Sequence, residues 1–304
     1  MIIMNILVSD AIDDKTLKTL KNNVSWNVTY LPGEKGKALD EALKVAEVLI
    51  VRSGTKVTKE LMDNAPKLKT IIRGGVGIDN IDSKAAKEKG IKVLNTPAAT
   101  SISVAELLLG FMLCLVRRTT FAVRSMKEGK WEKKSFKGSE LNGKTLGILG
   151  IGRIGGEVAK RASAFNMKVC AYDPYLDHES IKSRGAIPAS LETIIADSNF
   201  ITLHLPLTDE TRHMIDRDAF ARMRDGVYIL NCARGGVVDE RALLDALKSG
   251  KVAGAALDVY EDEPTEFLEL VNHPNVIATP HIGAATREGQ ARVGAEIIEI
   301  LKTL

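Results

Sequence analysis

Three charged side chains, each just beyond an apolar, strand-like run, are the residues of this chain best suited to chemistry. Arg234 follows Tyr228-Ile229-Leu230-Asn231-Cys232-Ala233, Glu263 follows Leu257-Asp258-Val259-Tyr260, and His281 follows Ile277-Ala278-Thr279-Pro280. Histidine titrates near neutrality, so His281 can move the proton on an alcohol oxygen in step with a hydride on its carbon. A carboxylate on the other ring nitrogen, from Glu263, would orient the imidazole and stabilise its charged form. The planar fork of Arg234 can hold a carboxylate at two points and polarise the carbonyl beside it, which lysine imitates poorly. Singly, each has an ordinary reading: an arginine at the Gly235-Gly236 turn, a solvated glutamate before Pro264, a loop histidine without a task. Together they describe a site for hydride transfer on a 2-hydroxy acid.

A carrier for the hydride is indicated upstream. The run Leu146-Gly147-Ile148-Leu149 enters Gly150-Ile151-Gly152-Arg153-Ile154-Gly155, a helical stretch follows to Phe165, and 167–172 reads as a second strand closed by Asp173. The first glycine permits a tight turn, the second lets backbone approach a pyrophosphate, and the third lets helix pack on strand. An acid about 20 residues on suits the ribose hydroxyls of a dinucleotide. The ordinary readings are a tight strand-to-helix turn and a solvated strand end. Because Asp173 would repel a 2′-phosphate, and Pro174 and Tyr175 bring no arginine to offset it, NAD is favoured over NADP.

These residues need a scaffold, and the chain is long enough to supply one. With 304 residues, 45% of them hydrophobic and 27% charged, it can bury the cores of two α/β domains. Strand-like runs at 3–8, 48–51, 70–72 and 92–94 alternate with helix-periodic stretches before the glycine motif, and runs near 200–203, 227–230, 253–257 and 276–279 continue the alternation after it. The expected architecture is two open parallel-sheet domains: a Rossmann dinucleotide domain at 98–282 inserted into a flavodoxin-like substrate domain at 1–97 and 283–304. A long helix over 101–124 is the first link, and the stretch after Pro280 is the second. A cleft between two such domains is a favoured small-molecule site. The apolar run 107–116 is too short to span a bilayer and is followed by Arg117 and Arg118, and no cleavable leader pattern is visible, so a cytoplasmic protein is expected. Cys114, Cys170 and Cys232 form no metal or disulfide spacing, and the net charge of +3 has no basic block of the kind nucleic acid requires. No metal, membrane or nucleic-acid partner is expected.

The combined motifs resemble the D-isomer-specific 2-hydroxyacid dehydrogenase family over essentially the whole chain. They are the glycine fingerprint, Asn231-Cys232-Ala233-Arg234-Gly235-Gly236, the Asp-Val-Tyr-Glu-x-Glu-Pro segment at 258–264, and Thr279-Pro280-His281-Ile282-Gly283. The resemblance implies that Arg234, Glu263 and His281 are catalytic, with the glutamate being the one directly before Pro264 rather than Glu261. It further implies cofactor contacts from Val76, Arg153, Ile154, Asp173, Leu205, Cys232, Asp258 and Gly283, beside Gly150, Gly152 and Gly155 of the turn.

Within the family the chain is most similar to the branch that oxidises D-3-phosphoglycerate to 3-phosphohydroxypyruvate, the first step of serine biosynthesis. Arg52-Ser53-Gly54-Thr55, Arg73-Gly74-Gly75-Val76, Asn95-Thr96-Pro97 and Gly129-Lys130-Trp131 carry that similarity. It implies that Gly75 and Val76 N–H groups receive the substrate carboxylate, while Arg52, with Ser53 beside it, and Arg73 meet the phosphate; ordinary surface arginines are the other reading. The lysines at 130–134 are open to two readings, a reach toward a partner subunit's site and a solvated loop. A homodimer through the 101–124 region and Trp131 is implied. Because the chain stops at Leu304, serine feedback through a further domain is not expected. Two other functions stay open: a glyoxylate or hydroxypyruvate reductase, or another D-2-hydroxyacid dehydrogenase, acting without a phosphate, and an NAD(H)-sensing co-repressor.

Overall fold

Runs such as Val48–Val51 and Phe200–Leu203 are apolar or small at every position, and every one of these residues is buried. Strands of this kind are covered on both faces, as in parallel sheets flanked by helices. All strand pairings among the described residues are parallel. The computed structural model describes residues 3–304; Met1 and Ile2, where the first expected domain begins, lie outside the described residues.

One compact unit runs up to Thr100 and resumes over Ala284–Leu304, and the other is Ser101–Gly283. The first carries β1 (Met4–Val8), β2 (Trp26–Tyr30), β3 (Val48–Val51), β4 (Thr70–Arg73) and β5 (Lys92–Asn95), in the order β2-β1-β3-β4-β5. That is the flavodoxin-like order. Its C-terminal helix, Arg287–Lys302, places Val293, Ile297 and Leu301 in one core with Ile6, Val8, Ile50 and Ile72. The expected crossing at 97/98 falls after Thr100, because Ala99 is buried in that core and Arg292 Nε donates to its carbonyl at 2.7 Å.

The second unit holds β6 (Thr145–Leu149), β7 (Lys168–Tyr172), β8 (Ile187–Pro188), β9 (Phe200–Leu203), β10 (Val227–Asn231), β11 (Val252–Leu257) and β12 (Val276–Ala278), in the order β12-β11-β10-β9-β6-β7-β8. The order reverses between β9 and β6, so a crevice opens at their carboxyl ends, the place where doubly wound sheets bind ligands. Gly283 N–H donates to Asp258 at 2.7 Å, which keeps Gly283 in this unit rather than at the expected 282/283 break.

Two strands were not foreseen, β2 and β8, and both lie at a sheet edge. An edge strand is paired on one side only and needs no continuous apolar run, so Trp26-Asn27-Val28-Thr29-Tyr30 and Ile187-Pro188 give weak signals. The expected long helix over 101–124 is divided into Ser101–Arg117 and Thr119–Lys127, because Arg118 adopts a left-handed backbone with φ 51°. Its guanidinium lies 5.7 Å from the Phe121 ring centroid, which gives the break a local anchor. Among the described residues, no helix is long and apolar enough to cross a membrane, and no group of three or more His, Cys, Asp or Glu is placed to hold a metal ion.

Candidate active site

The glycine-rich turn joins β6 to the helix Arg153–Ala164, whose N-cap, Gly152, makes no side-chain capping bond. The first-turn N–H groups are therefore left for an outside acceptor, and a pyrophosphate suits them. Gly150 has φ +86°, and a methyl group there would sit 2.7 Å from the His204 carbonyl oxygen. A methyl on Gly152 would meet nothing within 4 Å, so that side of the turn is open. Gly155 lies directly under the Gly150 carbonyl, bringing helix onto turn, while Arg153 is exposed and Ile154 half-buried.

Asp173 follows β7, and its carboxylate accepts the Ile151 N–H at 3.0 Å and the Tyr175 N–H at 3.0 Å. It thus braces the turn with two of its roughly four acceptor positions, and the others would suit ribose hydroxyls. Cofactor and residues fit: an open anion site, a capping-free helix and an acid that suits an unphosphorylated 2′-hydroxyl. Leu205 and Cys232 are buried. Burial, with the charge of Asp258, pushes the Cys232 thiol up, which keeps it protonated and weakly nucleophilic near neutral pH.

Arg234, Glu263 and His281 are carried on the loops after β10, β11 and β12, which are neighbours in the sheet. The structure brings Glu263 and His281 together, with His281 Nδ1 2.8 Å from Glu263 Oε2. That contact takes one ring nitrogen and leaves Nε2 as the one able to exchange a proton with a substrate. The bond to Glu263 raises the pKa of His281 against the opposing effect of burial, the charges of Glu263 and Asp258 add to the rise, and Arg234 works against it. For Glu263, burial acts upward, but the bonds and charge from His281, the Tyr260 N–H and the charge of Arg234 outweigh it and hold the carboxyl below its ordinary value. The pair is thus a carboxylate and a readily protonated imidazole. Arg234 is half-buried, and its Nη1 donates to the Ala233 carbonyl at 2.5 Å.

His281 has a left-handed backbone, φ 52°, unusual for a residue with a side chain. Its loop is clamped by Asp258, a fully buried carboxylate that accepts from Thr279 Oγ1 at 2.5 Å, Ile282 N–H at 2.8 Å and Gly283 N–H at 2.7 Å. The two expected cofactor contacts Asp258 and Gly283 therefore hold each other.

In the first unit, Asp10 accepts the N–H of Arg52 at 2.5 Å and both the N–H and the hydroxyl of Thr55, at 3.1 and 2.8 Å. Asn80 Nδ2 adds bonds to the carbonyls of Arg52 and Thr55, both at 2.7 Å, so the 52–55 loop is stiff and Ser53 projects from it exposed. Arg73 folds onto Gly75, its guanidinium carbon 2.6 Å from where a Gly75 methyl would lie. The expectation that Gly75 and Val76 both offer N–H groups meets one difference: the Gly75 N–H donates to the Arg73 carbonyl at 2.9 Å. The half-buried Val76 has its carbonyl bonded to Asn95 Nδ2 at 2.5 Å.

Sequence reasoning missed Tyr260. Its N–H donates to Glu263 Oε1 at 3.2 Å, and its hydroxyl reaches the carbonyls of Thr279 at 3.0 Å and Leu257 at 3.2 Å. Nothing local marks it, since an aromatic after a buried strand reads as core. His204 was also missed: burial pushes it down to about 4, so it stays neutral near pH 7, with Nε2 3.1 Å from Thr202 Oγ1 beside the Gly150 turn.

The family model described as "D-isomer specific 2-hydroxyacid dehydrogenase, NAD binding domain" matches residues 109–283. A D-3-phosphoglycerate dehydrogenase of Methanocaldococcus jannaschii is 48% identical over 300 residues, covering 98% of this chain and 57% of the relative. A hydroxypyruvate reductase of Thermotoga maritima is 50% identical over 301 residues, covering 96% of this chain and 95% of the relative. The chain thus spans little more than half of the phosphoglycerate dehydrogenase and nearly all of the reductase. The crystal structure of a D-lactate dehydrogenase from Aquifex aeolicus, complexed with NAD and lactic acid, superimposes with a TM-score of 0.86 at 35% identity, covering 98% of this chain and 94% of that one. An open pyrophosphate turn, an NAD-type acid and a His–Glu pair on adjacent strand ends agree with these likenesses: the chain belongs to the D-isomer-specific 2-hydroxyacid dehydrogenase family, with NAD as its cofactor.

Proposed function

We propose that the protein oxidises D-3-phosphoglycerate to 3-phosphohydroxypyruvate, in serine biosynthesis, with Arg234, Glu263 and His281 as its catalytic residues. The observation that carries the reaction class is the 2.8 Å bond between His281 and Glu263, with the charge of Arg234 felt by both. Arg234 holds the substrate carboxylate and polarises the oxygen on the adjacent carbon. His281 Nε2 removes the hydroxyl proton, and Glu263 stabilises the imidazolium that results. Bound NAD supplies the nicotinamide ring that takes up the hydride. In the reverse direction the imidazolium returns the proton, so reductive kcat/KM holds at low pH and falls as pH rises through the raised pKa of His281. Weakening Glu263 moves that fall to lower pH.

The phosphate is supported by Arg52. It is half-buried on the braced 52–55 loop, and its Nη1 donates to the Ala11 carbonyl at 3.2 Å, which leaves further guanidinium N–H groups for a phosphate. Thermotoga hydroxypyruvate reductase, alike over nearly the full length of both chains, favours a second reading in which the substrate lacks the phosphate. We further propose a cytoplasmic homodimer through the two helices Ser101–Arg117 and Thr119–Lys127 and the stretch after them, where Val123 and Met126 on the second helix and Trp131 beyond it are 50%, 55% and 81% exposed.

NADH-linked turnover of phosphohydroxypyruvate and hydroxypyruvate tests both readings. The phosphorylated substrate is expected to have a kcat/KM roughly 10- to 100-fold higher, an advantage that Arg52→Met removes, as for a charge-assisted hydrogen bond. Equal values with Arg52→Met harmless would hand the function to the second reading. His281→Ala should lose about 10²–10⁴-fold in turnover while still binding NADH, and unchanged turnover would refute the acid/base assignment.

A further inference from the structure

Glu261 and Glu263 lie two residues apart, and each meets an imidazole: Glu263 meets His281 at 2.8 Å, and Glu261 Oε1 lies 3.2 Å from His213 Nε2. The second pair is tied into the interior. Glu240 opens the helix Glu240–Lys248 and is buried, with 8% exposure. Its Oε1 accepts the Glu261 N–H at 2.8 Å, and its own N–H donates to Glu261 Oε1 at 3.1 Å. The Tyr260–Glu261 peptide also lies flush against Gly235: a methyl there would overlap the Tyr260 carbonyl and sit 2.6 Å from Glu261 N. The circuit closes where the His213 N–H donates to the Gly236 carbonyl at 2.7 Å. On its other side the same peptide segment carries the Tyr260 N–H that holds Glu263 and the Tyr260 hydroxyl that holds Thr279, two residues before His281. All three catalytic loops therefore meet at Tyr260–Glu261.

A glutamate in the first helical turn is normally a solvated partner of the helix dipole. Glu240 instead lies inside the protein among other acids: burial raises its carboxyl, the Glu261 N–H opposes the rise, and the charges of Glu261, Asp262 and Asp239 add to it. An acid held at such a cost has a reason to be there beyond stability. Building on the catalytic assignment above, we propose that Glu240 is a positioning residue of the reaction: its grip on the Glu261 N–H fixes the 260–263 segment and so seats Glu263 against His281 and the Arg234 loop beside them.

The test compares Glu240→Met, which fills the space without an acceptor, with Glu240→Gln, which keeps one, in reductive turnover from pH 6 to 10 and in NADH titration. In Glu240→Met, kcat is expected to fall about tenfold, with the high-pH loss of activity moved to lower pH as the His281–Glu263 bond loosens, and NADH affinity unchanged. Glu240→Gln should restore most of both. If Glu240→Met does not fold, Glu240→Ala carries the same comparison. An unmoved pH profile, or a glutamine variant no better than the methionine, overturns the proposal. Glu263→Gln, measured alongside, separates the two levels. If its profile is also unmoved, the catalytic pair itself is wrong and the proposal falls with it. If it moves while Glu240→Met does not, only the role of Glu240 fails.

Discussion

Two glycine-rich turns end parallel strands in this molecule, one in each unit, and they use their missing side chains in opposite ways. Beyond β6, Gly150 lets the chain turn tightly under the His204 carbonyl, and the space over Gly152 stays clear of protein. A helix of 12 residues starts there without a side-chain cap, so the turn presents donors to whatever fills the space. Beyond β4, Gly75 is just as unsubstitutable, with φ +150°, but the guanidinium of Arg73 already lies where its side chain would be, and its N–H is bonded to the Arg73 carbonyl. No helix starts at this second turn. The first turn is an open backbone cradle, and the second is a backbone seat for a cation. What separates them is what flanks each glycine: a helix with aligned N–H groups follows the first turn, whereas Arg73, the last residue of the preceding strand, folds onto the second.

Substitutions can break this contrast. The largest effect is expected for Gly150→Ala, which combines a left-handed backbone with a clash against the His204 carbonyl: on the order of 3 kcal/mol of stability lost, with NADH binding abolished, in denaturant unfolding and NADH fluorescence titration. Gly152→Ala should be sharper though smaller. Its methyl meets no protein atom, so stability should hold within about 0.5 kcal/mol. NADH affinity should still drop about tenfold or more, since the methyl stands where the pyrophosphate approaches. A variant that binds NADH normally would show the space to be incidental. Gly75→Ala should affect NADH least. It costs about 1–3 kcal/mol of stability for the strained backbone and displaces the Arg73 guanidinium. It should therefore raise the KM for the phosphorylated substrate while leaving the NADH Kd unchanged; a weakened NADH Kd would erase the distinction between the turns.

How much could be read in advance follows the same physics. Central strands such as Val48–Val51 and Phe200–Leu203 were legible because burial on both faces demands a continuous run, whereas the edge strand Trp26–Tyr30 carries no such demand. The helix over 101–124 read as continuous because its apolar pattern does not register the single left-handed residue Arg118. At the site, Arg234, Glu263 and His281 stood out in combination, because each follows a strand-like run and the three residue types together supply what hydride transfer on a 2-hydroxy acid needs. Tyr260 and Glu240 did not, and Asp258 entered only through the family resemblance, as a cofactor contact and not as a loop clamp, since an acid or aromatic beside a strand looks alike whether it clamps a loop or fills a core.

By itself the sequence determined the two parallel-sheet domains, the dinucleotide turn with its NAD-type acid, and the residue types able to move a proton and hold a carboxylate. These are set by local periodicity, by backbone freedom at glycine and by the intrinsic chemistry of side chains. Only the tertiary structure decided that His281 takes a left-handed backbone under the Asp258 clamp, that its Nδ1 is the nitrogen given to Glu263, and that Tyr260–Glu261 joins the three loops. Apart from the local bond between Tyr260 and Glu263, these bonds link residues 18 to 25 positions apart, as from His281 to Glu263 and from Gly283 to Asp258. Hydrogen-bond geometry at such separations is set by how adjacent strands stack their loop ends, and no local pattern in the chain encodes it.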